Sequence, residues 1–246
     1  MRILLLLFRS LAASLLNPVY WAAVYLTCRK YHKDGEHAGR KTRQSIFTGI
    51  AAGSLAMAMI CILGLTVQPG MYLALLLPTA LLLSRIRSRF CCFAYSGTLL
   101  GLLGVADVPG VLVIVGVLHV MEGILAALDT ASEEELAYKE GRVVKKMRRV
   151  GYWPVPFALL VPVSGEALGI AMPQWWPLLG SAAGFALCPM TALFLYNAEG
   201  KGSTWRLVFY GALLCFLAFC LPQERIWEIG ALLIMFLAHE WILLEV

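Results

Sequence analysis

The stretch VLHVMEGILAALD, residues 117–129, places His119 and Glu122 three positions apart inside an apolar run that covers residues 108–128. Side chains at this spacing share one face of a helix, and a helix needs about 20 apolar residues to cross the hydrocarbon core of a bilayer. An ionisable group at that depth is costly and indicates a function or a polar contact. Three interpretations stay open: hydrogen bonds of His119 and Glu122 with each other or with a neighbouring helix, ion or proton handling, and part of a catalytic metal site.

The composition around this stretch is that of a membrane protein. Of the 246 residues, 60% are hydrophobic and 14% are charged, and the mean hydropathy is +0.78, well outside the range of soluble domains. We predict an all-α fold, a polytopic transmembrane helix bundle of about eight or nine membrane segments in tight hairpins, forming a single integral-membrane domain over residues 1–246. The apolar segments are residues 3–27, 45–67, 71–84, 90–106, 108–128, 152–171, 175–196, 205–221 and 226–244.

The distribution of Lys and Arg predicts the orientation of the chain, because cytoplasmic connections retain basic residues. Residues 28–44 and 129–151 are predicted as basic or mixed-charge cytoplasmic loops, and the C-terminus is predicted on the same side. The net charge of +5 follows from these loops, so it requires no nucleic acid. Anionic lipid headgroups are the expected neighbours of the basic residues. Residues 3–27 either span the membrane or lie at its inner surface.

The other candidate polar residues inside predicted membrane segments are Glu166, His239 and Glu240. His239 and Glu240 begin the zinc-protease signature H-E-x-x-H, but its second histidine is missing. The spacing therefore does not require these residues to converge with His119 and Glu122. The seven cysteines form no C-x-x-C pair and are predicted to be small buried residues. No catalytic residue, metal site or cofactor is predicted.

The stretch 129–151 is the most distinctive polar part of the sequence. Acidic residues over 129–140 are followed by basic residues over 142–149. A solvated helix with internal ion pairs would explain this pattern, and such pairs contribute little stability individually. The alternative is a docking surface for a protein partner or lipid headgroups. Its candidate residues are Lys145, Lys146, Arg148 and Arg149.

Five short motifs occur in a fixed order along the chain: NPVYW at 17–21, RSRFCCFAYSG at 87–97, LHVMEG at 118–123, WPVP at 153–156 and AHE at 238–240. Together they resemble the membrane region of PDZ-domain-containing polytopic proteins of Gram-positive bacteria (Firmicutes), a group that includes the MinJ-type cell-division topology proteins. The resemblance implies an adaptor of the bacterial cytoplasmic membrane, with no catalytic residues to carry over. In that family a PDZ domain follows the last span, so we expect either a membrane domain on its own or a shorter relative.

The leading functional prediction is a non-enzymatic integral-membrane scaffold that binds protein partners in the membrane or cytoplasm, with His119 and Glu122 holding helices together. The alternative is a small transporter or ion-coupled carrier, in which His119, Glu122 and Glu166 would surround a polar cavity near the midplane. An intramembrane protease comes third. A dry pair of His119 and Glu122 would favour the scaffold, whereas carboxylates converging on a hydrated cavity would favour transport.

Overall fold

A computed structural model describes residues 2–32, 37–139, 142–163, 184–199, 204–222 and 224–244. In these ranges lie eight α-helices, a short 3₁₀-helix and a three-stranded antiparallel sheet. In chain order the elements are α1 (Arg2–Leu16), α2 (Pro18–Tyr31), α3 (Ala38–Leu63), α4 (Met71–Ser84), the 3₁₀-helix (Ser88–Cys91), α5 (Phe93–Leu102), α6 (Val108–Leu128), β1 (Ala131–Lys139), β2 (Arg142–Val163), β3 (Gly184–Glu199), α7 (Thr204–Cys220) and α8 (Arg225–Leu244).

The prediction of an all-α bundle with eight or nine membrane segments is wrong. Within the described ranges, α3 and α6 are long and apolar enough to cross a membrane, and Leu5–Leu16 with α2 forms a pair bent by 60° that would add a third span. The segments 152–171 and 175–196, predicted as membrane helices, instead contribute residues to β2 and β3. The physical reason is that a continuous apolar run fits a buried strand as well as a buried helix.

The exterior of the helical part is strongly apolar, as expected for a protein that contacts lipid. Large hydrophobic side chains are exposed on α1, α3, α4, α7 and α8, among them Phe8, Phe47, Leu82, Phe209, Phe216, Ile226 and Leu237. Exposed apolar surface spread over several helices is uncommon on soluble monomers. Together with the two apolar helices of spanning length, it supports a membrane location.

The middle strand of the sheet is β2, which pairs with β1 through its first half and with β3 from Arg148 onwards. The carbonyl of Leu160 accepts a hydrogen bond of 2.8 Å from the backbone N–H of Val67, so it points away from β3. In an antiparallel ladder the N–H and C=O of one residue point to the same neighbour. The even-numbered residues of β2 therefore direct their backbone groups away from β3.

The prolines of β2 fit this register. Pro154, Pro156 and Pro162 are all even-numbered, so the N–H group that each lacks would point away from β3 and no ladder hydrogen bond is lost. The pairing of β2 with β1 ends at Val150, so beyond Val150 β1 does not cover this edge of β2. It must be covered in another way, because unpaired backbone groups are costly away from water.

Helix α3 covers that edge through two glycines. A Cβ atom at Gly49 would overlap the carbonyl oxygen of Pro154, and one at Gly53 would overlap that of Pro156. Four helical residues rise about 6 Å and two strand residues about 6.6 Å. The spacing of the two glycines therefore matches that of the two carbonyls, and α3 can lie directly on the strand edge.

Helix α6 is the central helix of the molecule, and most of its residues are buried. It begins after Asp107, whose Oδ2 accepts a 2.8 Å hydrogen bond from the backbone N–H of Gly110. Burial raises the pKa of the Asp107 carboxyl above its ordinary value. Gly116 and Gly211 let the backbones of α6 and α7 approach closely, since a Cβ at either would collide with the other helix.

Candidate functional site

Three side chains of the metal-ligand type meet in the helical part of the molecule, although they are distant in sequence. They are Cys92, His119 and His239, and one ligand atom from each lies within 4.8 Å of the other two. Both histidines are buried, and Cys92 is half-buried. We call these three residues the Cys–His–His cluster.

Each residue of the cluster is placed by a different helix. Cys92 is the N-cap of α5, and its sulfur accepts the backbone N–H of Ala94 at 3.4 Å. His119 lies in the second half of α6, and His239 lies near the end of α8. The two imidazole rings are edge-to-face with centroids 5.2 Å apart, and the His119 ring also packs edge-to-face on Tyr210 of α7 at 4.9 Å.

The hydrogen bonds of the two rings fix where their protons lie. Nδ1 of His119 is 2.8 Å from the carbonyl oxygen of Val115, and since a carbonyl only accepts, Nδ1 carries the proton. Nε2 of His119 is then an acceptor, and it lies 3.6 Å from the sulfur of Cys92. The direction of this ring is therefore set by the backbone of its own helix.

An outer set of polar residues orients His239. The hydroxyl of Tyr95 donates to Oε1 of Glu240 at 2.5 Å, and Oε2 of Glu240 forms an ion pair of 3.1 Å with Arg89. Having donated its only proton, the Tyr95 oxygen accepts from Nδ1 of His239 at 3.2 Å. Nε2 of His239 is consequently left with a lone pair, as in His119.

The structure brings together some of the ionisable residues predicted from the apolar segments. His119 and His239 are in ring contact, and Glu240 joins them through Tyr95. Glu122 is half-buried on the next turn of α6. The ring nitrogens of His119 contact Val115 of the same helix and Cys92 at the start of α5, so the expected pairing of His119 with Glu122 is not what occupies them. Glu166 lies outside the described residues.

Sequence reasoning missed Cys92, Tyr95 and Arg89. All three lie in the RSRFCCFAYSG motif, which carries two adjacent cysteines and two arginines at the start of an apolar segment. That concentration of polar types was a usable signal. Nothing in the spacing, however, pointed from this motif to histidines 27 and 147 positions further on in α6 and α8.

A second polar site joins the sheet to the end of α6. Asp129 follows the last residue of α6, and its carboxylate accepts hydrogen bonds from Nε1 of Trp153 at 2.8 Å and from Nε2 of Gln44. Arg149 donates from Nη2 to the carbonyl of Ala126 at 2.7 Å and from Nε to Thr130 at 2.8 Å. These contacts, which we call the α6 joint, satisfy a terminal carbonyl of α6 and fix β2 to it.

The stretch 129–151, considered above as a solvated helix or a docking surface, is largely the β1–β2 hairpin. Of its four candidate docking residues, Arg149 belongs to the α6 joint. The others lie on β2, where the backbone register places Lys145 opposite Leu136, Lys146 opposite Glu135 and Arg148 opposite Glu133. Two of these three basic positions of β2 are thus opposite glutamate positions of β1.

No family model, curated protein or solved structure matches this chain. Two features of the described residues are therefore the basis for a functional interpretation. One is the buried Cys–His–His cluster between α5, α6 and α8, and the other is the hairpin that the α6 joint fixes to the helices.

Proposed function

We propose that the protein is a non-enzymatic scaffold of the bacterial cytoplasmic membrane, and that it recruits protein partners through the β1–β2 hairpin. The observation that carries this proposal is the α6 joint, in which Arg149 and Asp129 fix the hairpin to the end of a central apolar helix. A segment held in one geometry loses little conformational freedom when a partner binds. The basic residues at 28–44 and 139–149 favour a cytoplasmic position for this end and for the C-terminus.

The outer edge of β1 is the part of the hairpin that we propose for binding. The backbone groups of even-numbered residues of β2 point to β1. The register pairs these residues with odd-numbered residues of β1, such as Glu133 and Glu135. The N–H and C=O groups of Ser132, Glu134 and Leu136 therefore point outwards, on the side where the described sheet ends. An extended segment of a partner can add to such an edge through main-chain hydrogen bonds.

The negative charge of β1 favours a partner segment that is extended and basic. Three consecutive glutamates, residues 133–135, lie in β1, and charged residues on an edge strand discourage pairing with apolar strands or with a second copy of the same edge. A Lys- or Arg-containing segment would be attracted by them. The resemblance to PDZ-domain membrane proteins of Gram-positive bacteria supports a role in organising the division site or other membrane complexes.

The proposal is tested by removing one outward donor from β1. Leu136→Pro removes an N–H that faces a partner, whereas Leu136→Ala alters the same side chain and keeps the N–H. With a photo-crosslinking residue at position 134 in native membranes, we expect a discrete cross-linked protein whose yield falls about tenfold in Leu136→Pro, since an unpaired group costs about 1–3 kcal/mol. The yield in Leu136→Ala should match the parent.

Two outcomes would contradict the scaffold. One is equal cross-linking in Leu136→Pro and Leu136→Ala when both variants retain the thermal unfolding midpoint of the parent. The other is ion-coupled uptake or peptide hydrolysis by the purified protein in vesicles that is abolished by Glu122→Gln. The second result would indicate that the function depends on Glu122 inside the helical part and not on the hairpin.

A further inference from the structure

We propose that Cys92, His119 and His239 bind one transition-metal ion, with Zn²⁺ the cation that their chemistry favours. This site is separate from the proposed function of the hairpin and does not depend on it. One thiolate and two imidazoles form a mixed sulfur and nitrogen donor set, which suits zinc and other thiophilic ions and does not suit Mg²⁺ or Ca²⁺. Three protein ligands would leave a fourth position for water or another small ligand.

The two histidines already have the tautomer that metal binding requires. Nδ1 of His119 donates to the Val115 carbonyl and Nδ1 of His239 donates to Tyr95, so both Nε2 lone pairs remain for a cation. Histidines that bind metals usually donate their other ring N–H to a carbonyl, carboxylate or similar acceptor. Glu240 reinforces the arrangement at His239, because its carboxylate accepts the hydrogen bond of the Tyr95 hydroxyl and leaves the Tyr95 oxygen to accept from His239.

The distances are close to those around a tetrahedral ion. With zinc–sulfur and zinc–nitrogen bonds of about 2.3 and 2.05 Å, a sulfur and a nitrogen on one ion lie about 3.6 Å apart, and two nitrogens about 3.4 Å apart. The sulfur of Cys92 is 3.6 Å from Nε2 of His119, and all three ligand atoms lie within 4.8 Å of one another. The first distance already matches a tetrahedral ion, and small side-chain movements would bring the remaining ligand atoms to the separations that such an ion requires.

A hydrogen bond from the Cys92 thiol to His119 explains only part of this geometry. The thiol has one proton, and the two imidazoles each keep one nitrogen lone pair, so the three neutral side chains supply one donor for two acceptors. A cation satisfies all three groups at once. Binding breaks the S–H bond, forms a sulfur–metal bond and two nitrogen–metal bonds, and releases one proton to solvent.

The test uses the full-length protein in detergent, freed of metal by chelation and titrated with Co²⁺, followed by Zn²⁺. We expect one Co²⁺ per chain, with a thiolate-to-cobalt charge-transfer band that Zn²⁺ abolishes. Cys92→Ser should remove the band, and His119→Gln and His239→Gln should each weaken Co²⁺ binding at least tenfold. Cys91→Ser, at the exposed neighbouring cysteine, and Cys215→Ala, at a buried one on α7, should leave it unchanged.

A second measurement avoids the risk that Cys92→Ser does not fold. In the unaltered protein, Zn²⁺ should slow alkylation of Cys92, measured by mass spectrometry, and leave the rate at Cys91 unchanged. The inference is overturned if Co²⁺ and Zn²⁺ fail to bind stoichiometrically, if the charge-transfer band survives Cys92→Ser, or if Zn²⁺ protects both cysteines equally. None of these results bears on partner cross-linking at β1, so the two proposals fail independently.

Discussion

Asp107 illustrates how one half-buried carboxylate can serve as a helix cap and still lower stability at neutral pH. Its Oδ2 accepts the Gly110 N–H at the start of α6, an arrangement typical of N-caps. Burial is the main cause that raises the pKa of this carboxyl, and the negative charge of Glu228 adds to it. The hydroxyl of Tyr72 also lies close to the same end of α6.

We expect Asp107→Asn to stabilise the protein at pH 7 and to flatten its pH dependence. The folded-state pKa lies above the unfolded value, so the contribution of this group to stability is fully present below the ordinary pKa of about 3.9 and is lost as pH rises through the folded pKa. Asparagine caps equally well and carries no charge. Thermal unfolding midpoints in detergent from pH 4 to pH 8 would measure this.

The matched control is Asp107→Ala, which removes both the charge and the cap. It should lower stability at pH 4 by about 1 kcal/mol, because the side chain that caps α6 is lost. A midpoint in Asp107→Asn that falls at pH 7 relative to the parent would contradict this account of the residue.

At the level of elements, the contact between α3 and β2 shows that an apolar helix of spanning length packs on a strand edge in this protein. Gly49 and Gly53 have the four-residue spacing typical of helix pairs in membranes, but the surface they meet is a row of strand carbonyls from Pro154 and Pro156. A glycine pair specifies a close approach and does not specify what approaches. The pattern therefore could not identify the partner of α3.

We expect Gly53→Ala to destabilise the protein by about 2–4 kcal/mol, because the added methyl group would overlap the Pro156 carbonyl and neither backbone can yield without strain. Gly39→Ala, in the first turn of the same helix, meets no atom within 4 Å and should be neutral or stabilising by up to about 1 kcal/mol. Urea unfolding in mild detergent compares the two. Equal effects would show that propensity, and not the strand contact, governs both glycines.

The sequence located several elements and misjudged others for identifiable reasons. Apolar runs at 71–84 and 108–128 coincide with α4 and α6, since both are bounded by turn residues. The run that contains β2 carries prolines at alternate positions 154 and 156, which break helices but fit a strand whose donors face outwards. This alternation was available in the sequence and argued against a membrane helix.

On the scale of the whole molecule, the site was harder to predict than the elements. His119, His239 and Glu240 could be selected because ionisable residues are rare in apolar segments. Their meeting with Cys92 is a result of how α5, α6 and α8 pack, and no local spacing encodes it. The pairing of β2 with β3 likewise joins residues 21 to 51 positions apart, whereas the hydrogen bonds of a helix join residues four positions apart.

The α6 joint links the helical part to the hairpin, and we expect Arg149→Lys to loosen that link. A lysine ammonium cannot reproduce the two divergent contacts that the guanidinium makes with Ala126 and Thr130. Amide hydrogen exchange should become at least about tenfold faster in β1, corresponding to about 1.4 kcal/mol, with little change in α4.

Arg225→Lys is a useful comparison, because Arg225 donates to the carbonyls of Gly101 and Leu102 at the end of α5 in a similar way. Its effect should be confined to α5 and α8. If Arg149→Lys accelerated exchange throughout the molecule, the joint would be part of the core and not a connection between two parts.

The covering of β2 by α3 has a consequence for biosynthesis. Ribosomes release α3 roughly a hundred residues before the strand whose carbonyls it shields, so the shield can be in place when β2 emerges. A chain permuted to begin at β2 would expose those carbonyls while α3 was still unsynthesised, during the period when strand edges aggregate. Because α3 precedes β2 in the chain, the edge of β2 can be covered as soon as it is synthesised.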